Sequence, residues 1–369
     1  MIRDREGTTR ALALAAVIAA GALAGCWRMG EPSSGAPDGG DTVSDVGGPT
    51  DPYPDTDTGP ELHWVAQVVD SPTGNDLAAV HGTGWDDVWA VGDDGVVLHY
   101  DGAEWTVVEG PPGGTLYGVL ARSPWEVVAV GGDRRAHLWD GEAWTPLDTA
   151  WDAEQYPGAY LAICASSGNP PVIAGDDGTL AVWHETGFDM GYKTGVDMDF
   201  HALACLPGGG FYAAGHAHDA FASSRIVHCA EPWSCQEVAL ASGCDNMYAI
   251  AAAAETDVWA AGFNEGSATV FYRLAGGAFD MVDSTNPQIL GMFLDATLGL
   301  WAVGGTTGPE KTGVIQQWSG GFEMTYQFGQ AFAKTARLRA VWGTADAGVY
   351  RVYAVGKGGT IVHVEGGEL

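Results

Sequence analysis

The chain has 369 residues, with 47 acidic against 16 basic side chains and a formal net charge of −31. So negative a molecule repels polyanions, and no basic patch is visible in it, which sets nucleic acid aside as a partner. The length leaves room for one large domain plus terminal segments.

The N-terminus reads as an export signal. Arg3, Arg5 and Arg10 make a weakly basic start, and Ala11 to Ala22 is an apolar run shorter than a membrane-spanning helix requires. The run ends in Leu23-Ala24-Gly25-Cys26, which resembles the bacterial lipoprotein signal. The resemblance implies cleavage before Cys26 and a lipid, palmitate included, on that cysteine, which would anchor the chain to a membrane. Trp27 follows Cys26 where an aspartate would favour retention at the inner membrane, so outer membrane or cell surface is expected. Residues 1–25 are thus a signal peptide. Residues 26–60, rich in Gly, Pro, Ser, Thr and Asp, are expected to form a disordered acidic tether.

From residue 61 to 369 one phrase recurs seven times, as Trp89-Ala-Val-Gly92, Val128-Ala-Val-Gly131, Val172-Ile-Ala-Gly175, Tyr212-Ala-Ala-Gly215, Trp259-Ala-Ala-Gly262, Trp301-Ala-Val-Gly304 and Tyr353-Ala-Val-Gly356. A period near 45 residues with strand signals indicates a stacked or closed repeat fold. The first copy shows the unit. Leu77 to Val80 is a strand, His81 to Asp86 a turn, Asp87 to Val91 a second strand ending at a glycine turn. Val96 to Tyr100 is a third, the Asp101-Gly102 turn follows, and Glu104 to Val108 is a fourth. Such a thin meander must pack face to face with its neighbours, and the aromatic residues supply that contact.

Two ends of the array fit together. Leu62 to Val69 is an extra strand before the first unit, and the last unit, Leu338 to Val364, lacks its fourth strand. Joining them removes the exposed sheet edges. The expected fold is all-β: a seven-bladed β-propeller of four-stranded antiparallel blades, closed by an N-terminal strand.

Five cysteines follow Cys26. Cys229 and Cys235 are placed for a hairpin disulfide, which an oxidising compartment permits. Cys164 and Cys205 occupy matching first-strand positions in adjacent units and could bridge two blades, although Cys244 could pair with Cys205 instead. No zinc-type cysteine spacing is present. His216-Ala-His218-Asp219 is the most metal-like cluster. It is read as an exposed turn after Gly215, with no distant third ligand. Asp86-Asp87, Asp93-Asp94 and Asp176-Asp177 lie in ordinary turns and lack the defined loop that calcium needs.

No nucleophile elbow, Walker sequence or dinucleotide fingerprint occurs. The nine arginines after the signal are scattered, unlike the arginine cluster of sialidase-like propellers. Catalytic, cofactor-binding and metal residues are therefore assigned to none, and no cofactor is expected. Whether the chain is an enzyme is left open, leaning towards no.

Val341-Trp-Gly343, Asp87 to Gly92, Gly95 to Trp105 and Asp257-Val-Trp-Ala-Ala-Gly262 together resemble the repeats of exported myxobacterial lipoproteins, and the Asp-Gly-x-x-Trp piece is similar to the BNR or Asp-box turn, without its Ser-x-Asp in most copies. The resemblance implies a propeller on an exported lipoprotein and carries over no catalytic residue. The expected function is a lipid-anchored envelope or cell-surface interaction module for a protein or glycan. The alternative is an extracellular glycan- or peptide-cleaving hydrolase or lyase. Contact is expected in the two stretched intervals, residues 216–247 and 305–337.

Overall fold

The computed structural model describes residues 62–147, 149, 157–184, 187–188, 192–193, 198–218, 223–231, 234–240, 246–263, 268–285, 287–306, 312–318, 322–328 and 337–368. The signal, the tether, Cys26, Asp219 and Cys244 lie outside the described residues.

The fold is a seven-bladed β-propeller. β1 (Leu62–Val69) precedes the first blade, which runs β2 (Leu77–Gly84), β3 (Asp87–Gly92), β4 (Val97–Tyr100) and β5 (Trp105–Val108). Blade 2 is β6 (Leu116–Ser123), β7 (Glu126–Gly131), β8 (Ala136–Trp139) and β9 (Trp144–Pro146). Blade 3 is β10 (Tyr160–Cys164), β11 (Val172–Gly175) and β12 (Thr179–His184), with its fourth strand split into β13 (Gly187–Phe188) and β14 (Tyr192–Lys193), both paired to β12. Blade 4 is β15 (Met198–Cys205), β16 (Phe211–Ala217), β17 (Ser224–Glu231) and β18 (Ser234–Val238). Blade 5 is β19 (Asn246–Ala254), β20 (Asp257–Phe263), β21 (Thr269–Ala275) and β22 (Ala278–Thr285). Blade 6 is β23 (Gln288–Asp295), β24 (Gly299–Gly305), β25 (Gly313–Trp318) and β26 (Phe322–Phe328). Blade 7 is β27 (Leu338–Asp346), β28 (Val349–Gly356) and β29 (Ile361–Glu368), completed by β1, which pairs antiparallel with β29 from Leu62↔Glu368 to Val69↔Ile361.

Each second strand carries the repeated phrase and is apolar on both faces, because a blade is covered on both sides. In β3, Val88 and Ala90 pack against Tyr353 and Val355 of blade 7, while Trp89 and Val91 pack against Leu116 and Val127 of blade 2. Side chains alternate across a strand, so one run of residues serves two interfaces. Closure is packed as well as hydrogen-bonded: Trp64 of β1 meets the fully buried Trp301 of blade 6 edge to face, with ring centroids 4.8 Å apart.

In blades 1, 3 and 7 the connection between second and third strands follows hairpin chemistry. Asp94 and Gly95 both have positive φ, 57° and 71°, as do Asp177-Gly178 and Gly358-Gly359. Asp-Gly and Gly-Gly suit that turn, whose twist matches the flanking strands. Blade 2 places Asp133 and Arg134 there instead. Arg134 is buried and donates to the Thr179 hydroxyl, the Asp176 carbonyl and the Asp177 carboxylate, which fastens blade 2 to blade 3.

Both proposed disulfides are present. Cys229–Cys235 closes the β17–β18 hairpin, and Cys164–Cys205 joins the first strands of blades 3 and 4. His81 to Asp86 is not a turn: β2 continues to Gly84 through a bulge and the turn is Trp85-Asp86 alone. Asp87 is likewise no turn residue. It is buried at the start of β3, where its carboxylate accepts from the Thr83 hydroxyl and the Trp89 indole, and pairs with His99.

Candidate functional site: the bulged end

The first strand of every blade is bulged at one register position. Leu77 pairs with Gly92 and Ala79 with Val91, leaving Ala78 over; the left-over residue in the later blades is Tyr117, Leu161, His201, Tyr248, Leu290 and Arg339. A bulge bends its strand and re-aims the extra side chain. The glycine of the phrase stands opposite the residue just before each bulge. A Cβ on Gly92, Gly131, Gly175, Gly215, Gly304 or Gly356 would lie within 2.2 Å of the carbonyl oxygen of the residue that precedes its first-strand partner. These glycines sit at extended φ, −173° at Gly92. They are required by close approach of backbone and mark a strand end rather than a turn.

Because all seven bulges lie near the start of the innermost strand, they gather at one end of the disc. The second-to-third-strand connections emerge at the same end. So do the links from one blade to the next. The strand ends flanking 219–222, 241–245, 307–311 and 329–336 are therefore here. Most of the two stretched intervals otherwise proves to be blade, β17 and β18 in one and β25 and β26 in the other. Residues 219–222, 232–233, 241–245, 307–311, 319–321 and 329–336 of these intervals lie outside the described residues.

Two of the bulge side chains reach to the following blade. Arg339 of blade 7 pairs with Asp76, just before blade 1, at 3.0 Å, and His201 of blade 4 stacks on Tyr248 of blade 5 with centroids 5.2 Å apart.

His201 sits beside Asp199, His216 and His218, the one group among the described residues whose ligand atoms could meet on a metal ion. Asp199 and His216 face each other as Cα partners on β15 and β16. His201 and His218 stand two residues further along their strands, so side-chain alternation puts all four groups on one side of the hairpin. His218 Nε2 lies 2.9 Å from Asp199 Oδ2, and His201 Nε2 lies 2.7 Å from His216 Nδ1. The other Asp199 oxygen accepts the backbone N–H of Asp177 from blade 3 at 3.0 Å. Burial, with His216 close by, pushes His201 down to about 4, so its ring is neutral. Burial of Asp199 acts to raise its pKa, but the hydrogen bonds from His218 and Asp177 outweigh that and hold the carboxyl below its ordinary value.

Sequence alone shows half of this cluster, and the expected turn at His216 to His218 is not one. His216 is inside β16 and His218 directly follows it, while the missing partners come from the preceding strand. The available signal is Asp199-x-His201 followed by His216-x-His218, two period-2 pairs, one around Phe200 and the other just after Gly215, which share a register.

Other histidines have scaffold work. His99, His228 and His363 sit on third strands across from Trp89, Tyr212 and Tyr353, with ring centroids 4.4, 4.4 and 4.7 Å apart; the two tyrosine pairs are stacked and His99 is tilted over Trp89.

Within the disc, a cavity of about 250 Å³ is bounded by first strands from all seven blades, with Leu120, Ile163, Leu203, Ile250, Met292, Phe293, Val341 and Trp342 among its walls. The Cys164–Cys205 disulfide lies in that wall. Its lining contains no carboxylate, and His81 is its one titratable side chain. The Nδ1 of His81 accepts the Ala121 N–H, and burial pushes its pKa down to about 4.

No protein-family model matches the chain, and no curated protein matches it in sequence. Solved propellers match it in shape. A structure described as YCF48 bound to D1 peptide superposes with a TM-score of 0.59 at 13% identity, over 81% of this chain and 96% of that one. The WD40 propeller domain of Doa1 gives 0.58 at 12% identity, over 82% and 97%. YCF48 from Cyanidioschyzon merolae gives 0.58 at 17% identity, over 81% and 98%. At such identities the likeness is one of fold.

Proposed function

We propose that the chain is a lipid-anchored envelope protein, held at the outer membrane or cell surface through Cys26, whose propeller binds a protein partner at the bulged end. The observation that carries the binding role is the composition of the central cavity. Hydrolysis of a glycan or peptide calls for at least two placed acid–base groups, whereas the side chains lining this cavity include one titratable group, His81. The bulged end presents what a docking surface uses: Tyr117 is 38% exposed, and Tyr248 and His201 form a stacked aromatic step. One shape neighbour is a propeller with a bound peptide, which supports a protein as the partner.

Capture from native cells with the full chain tests this reading. Tyr117→Ala/Tyr248→Ala is expected to lower recovery of the partner at least tenfold, and Cys26→Ser to move the chain from the membrane to the soluble fraction. Undiminished recovery by the tyrosine variant contradicts the placement, and membrane retention of the serine variant contradicts the anchor.

A further inference from the structure

The structure offers a cation site that the sequence reading set aside. One ligand atom from each of Asp199, His216 and His218 lies within 4.8 Å of the other two. Two imidazoles and a carboxylate on adjacent strands are the donor set of a divalent ion of the zinc type, which takes nitrogen ligands at about 2.0–2.1 Å and carboxylate oxygens at about 2.0–2.2 Å. Drawing the three atoms onto one ion asks for side-chain rotation, since the backbone register already places Asp199 opposite His216.

The surroundings have the features of a built site. His216 Nδ1 is engaged by His201, which leaves the other ring nitrogen for a metal. A ligating histidine commonly donates its second N–H to a fixed acceptor, which sets the tautomer and the ring orientation. With its own proton on Nδ1, His201 offers Nε2 as such an acceptor, and the ring is held by the bulge and by stacking on Tyr248. Asp199 is held from the other side by the Asp177 N–H, so one of its oxygens is fixed and the other faces His218. His218 is exposed, so the remaining coordination position opens to solvent.

We propose that Asp199, His216 and His218 bind one zinc-type divalent ion at the bulged end of the propeller, with His201 as the positioning residue that orients His216, and that the open position accepts water or a donor group from a partner. Calcium is excluded by the donor set, because it takes six to eight oxygens. The site goes beyond the docking role and does not depend on it.

The test uses the full chain, stripped with a chelator and titrated with Zn2+ by calorimetry, with Co2+ absorption reporting the ligand geometry. The expected result is one Zn2+ per chain, a Co2+ spectrum of nitrogen and oxygen ligation, and a rise in thermal midpoint on adding Zn2+. His216→Ala/His218→Ala is expected to weaken binding at least a hundredfold, with no Zn2+-dependent rise in midpoint. Asp199→Asn keeps the side chain's shape and is expected to weaken binding at least tenfold. His201→Gln is expected to lose about 10–100-fold while still giving the same ligand spectrum, which separates a positioning role from ligation. His184→Ala, on an exposed position of β12, leaves binding unchanged. Failure of the parent chain to bind Zn2+, or equal affinity in the parent and the double-alanine and asparagine variants, overturns the proposal.

Discussion

A methyl group on Gly92 would stand 2.0 Å from the Asp76 carbonyl oxygen, and one on Gly304 would stand 1.8 Å from that of Gln288. Either the bulge or the strand pairing would have to yield. Gly92→Ala is expected to cost about 1–3 kcal/mol, the usual range for forced overpacking, and Gly74→Ala, where nothing lies within 4 Å, to stay within about 0.5 kcal/mol. Thermal unfolding of the two variants checks this, and equal losses would show that the close approach is not what fixes the glycine. The repeated phrase was legible in the sequence, but its reason was not, because the carbonyl it avoids belongs to a residue about 16 positions earlier in the chain. The Asp-x-Trp part of the phrase has a comparable reason. Asp87 and Asp257 accept from the indoles of Trp89 and Trp259, and third-strand His99 and Arg273 lie over those rings and pair with the same carboxylates. In blade 6 Gly299 stands at the acidic position, and the Leu298 carbonyl accepts from both Trp301 and Gln317 in its place.

At the scale of elements, the two disulfides differ in what they constrain. Cys229–Cys235 closes a span of six residues within one hairpin, and Cys164–Cys205 a span of 41 between two blades. Loop-closure entropy gives about 2 kcal/mol for the first and about 4 kcal/mol for the second. Cys164→Ser/Cys205→Ser is thus expected to lower the denaturation midpoint more than Cys229→Ser/Cys235→Ser. The reverse order would mean that the hairpin, not the bridge between blades, limits stability. Strand order and the extra β1 could be read from alternation and turn residues, because those signals are local. The bulges could not: a left-over residue such as Ala78 or Tyr117 is defined only against its partner strand. That is also why Asp199 and His201 escaped notice beside His216 and His218. Two period-2 pairs 15 residues apart become one cluster only when β15 and β16 are in register.

Across the whole molecule, seven copies of one meander give a ring with two unlike ends. The end with the Trp85-Asp86 type of turn carries exposed Trp125, and the bulged end carries Tyr117, Tyr248 and the histidine cluster. Closure by β1 follows from the count of strands. Function is assigned where the copies differ, since the features they share are accounted for by packing and pairing. Site-specific photo-crosslinking of the full chain in its native cells tests this most directly, with the probe placed in turn at Tyr117, Tyr248, Trp125 and the outer-strand residue Met281. The account predicts partner adducts from Tyr117 and Tyr248 and none from Met281. Adducts confined to Trp125 or Met281 would contradict it.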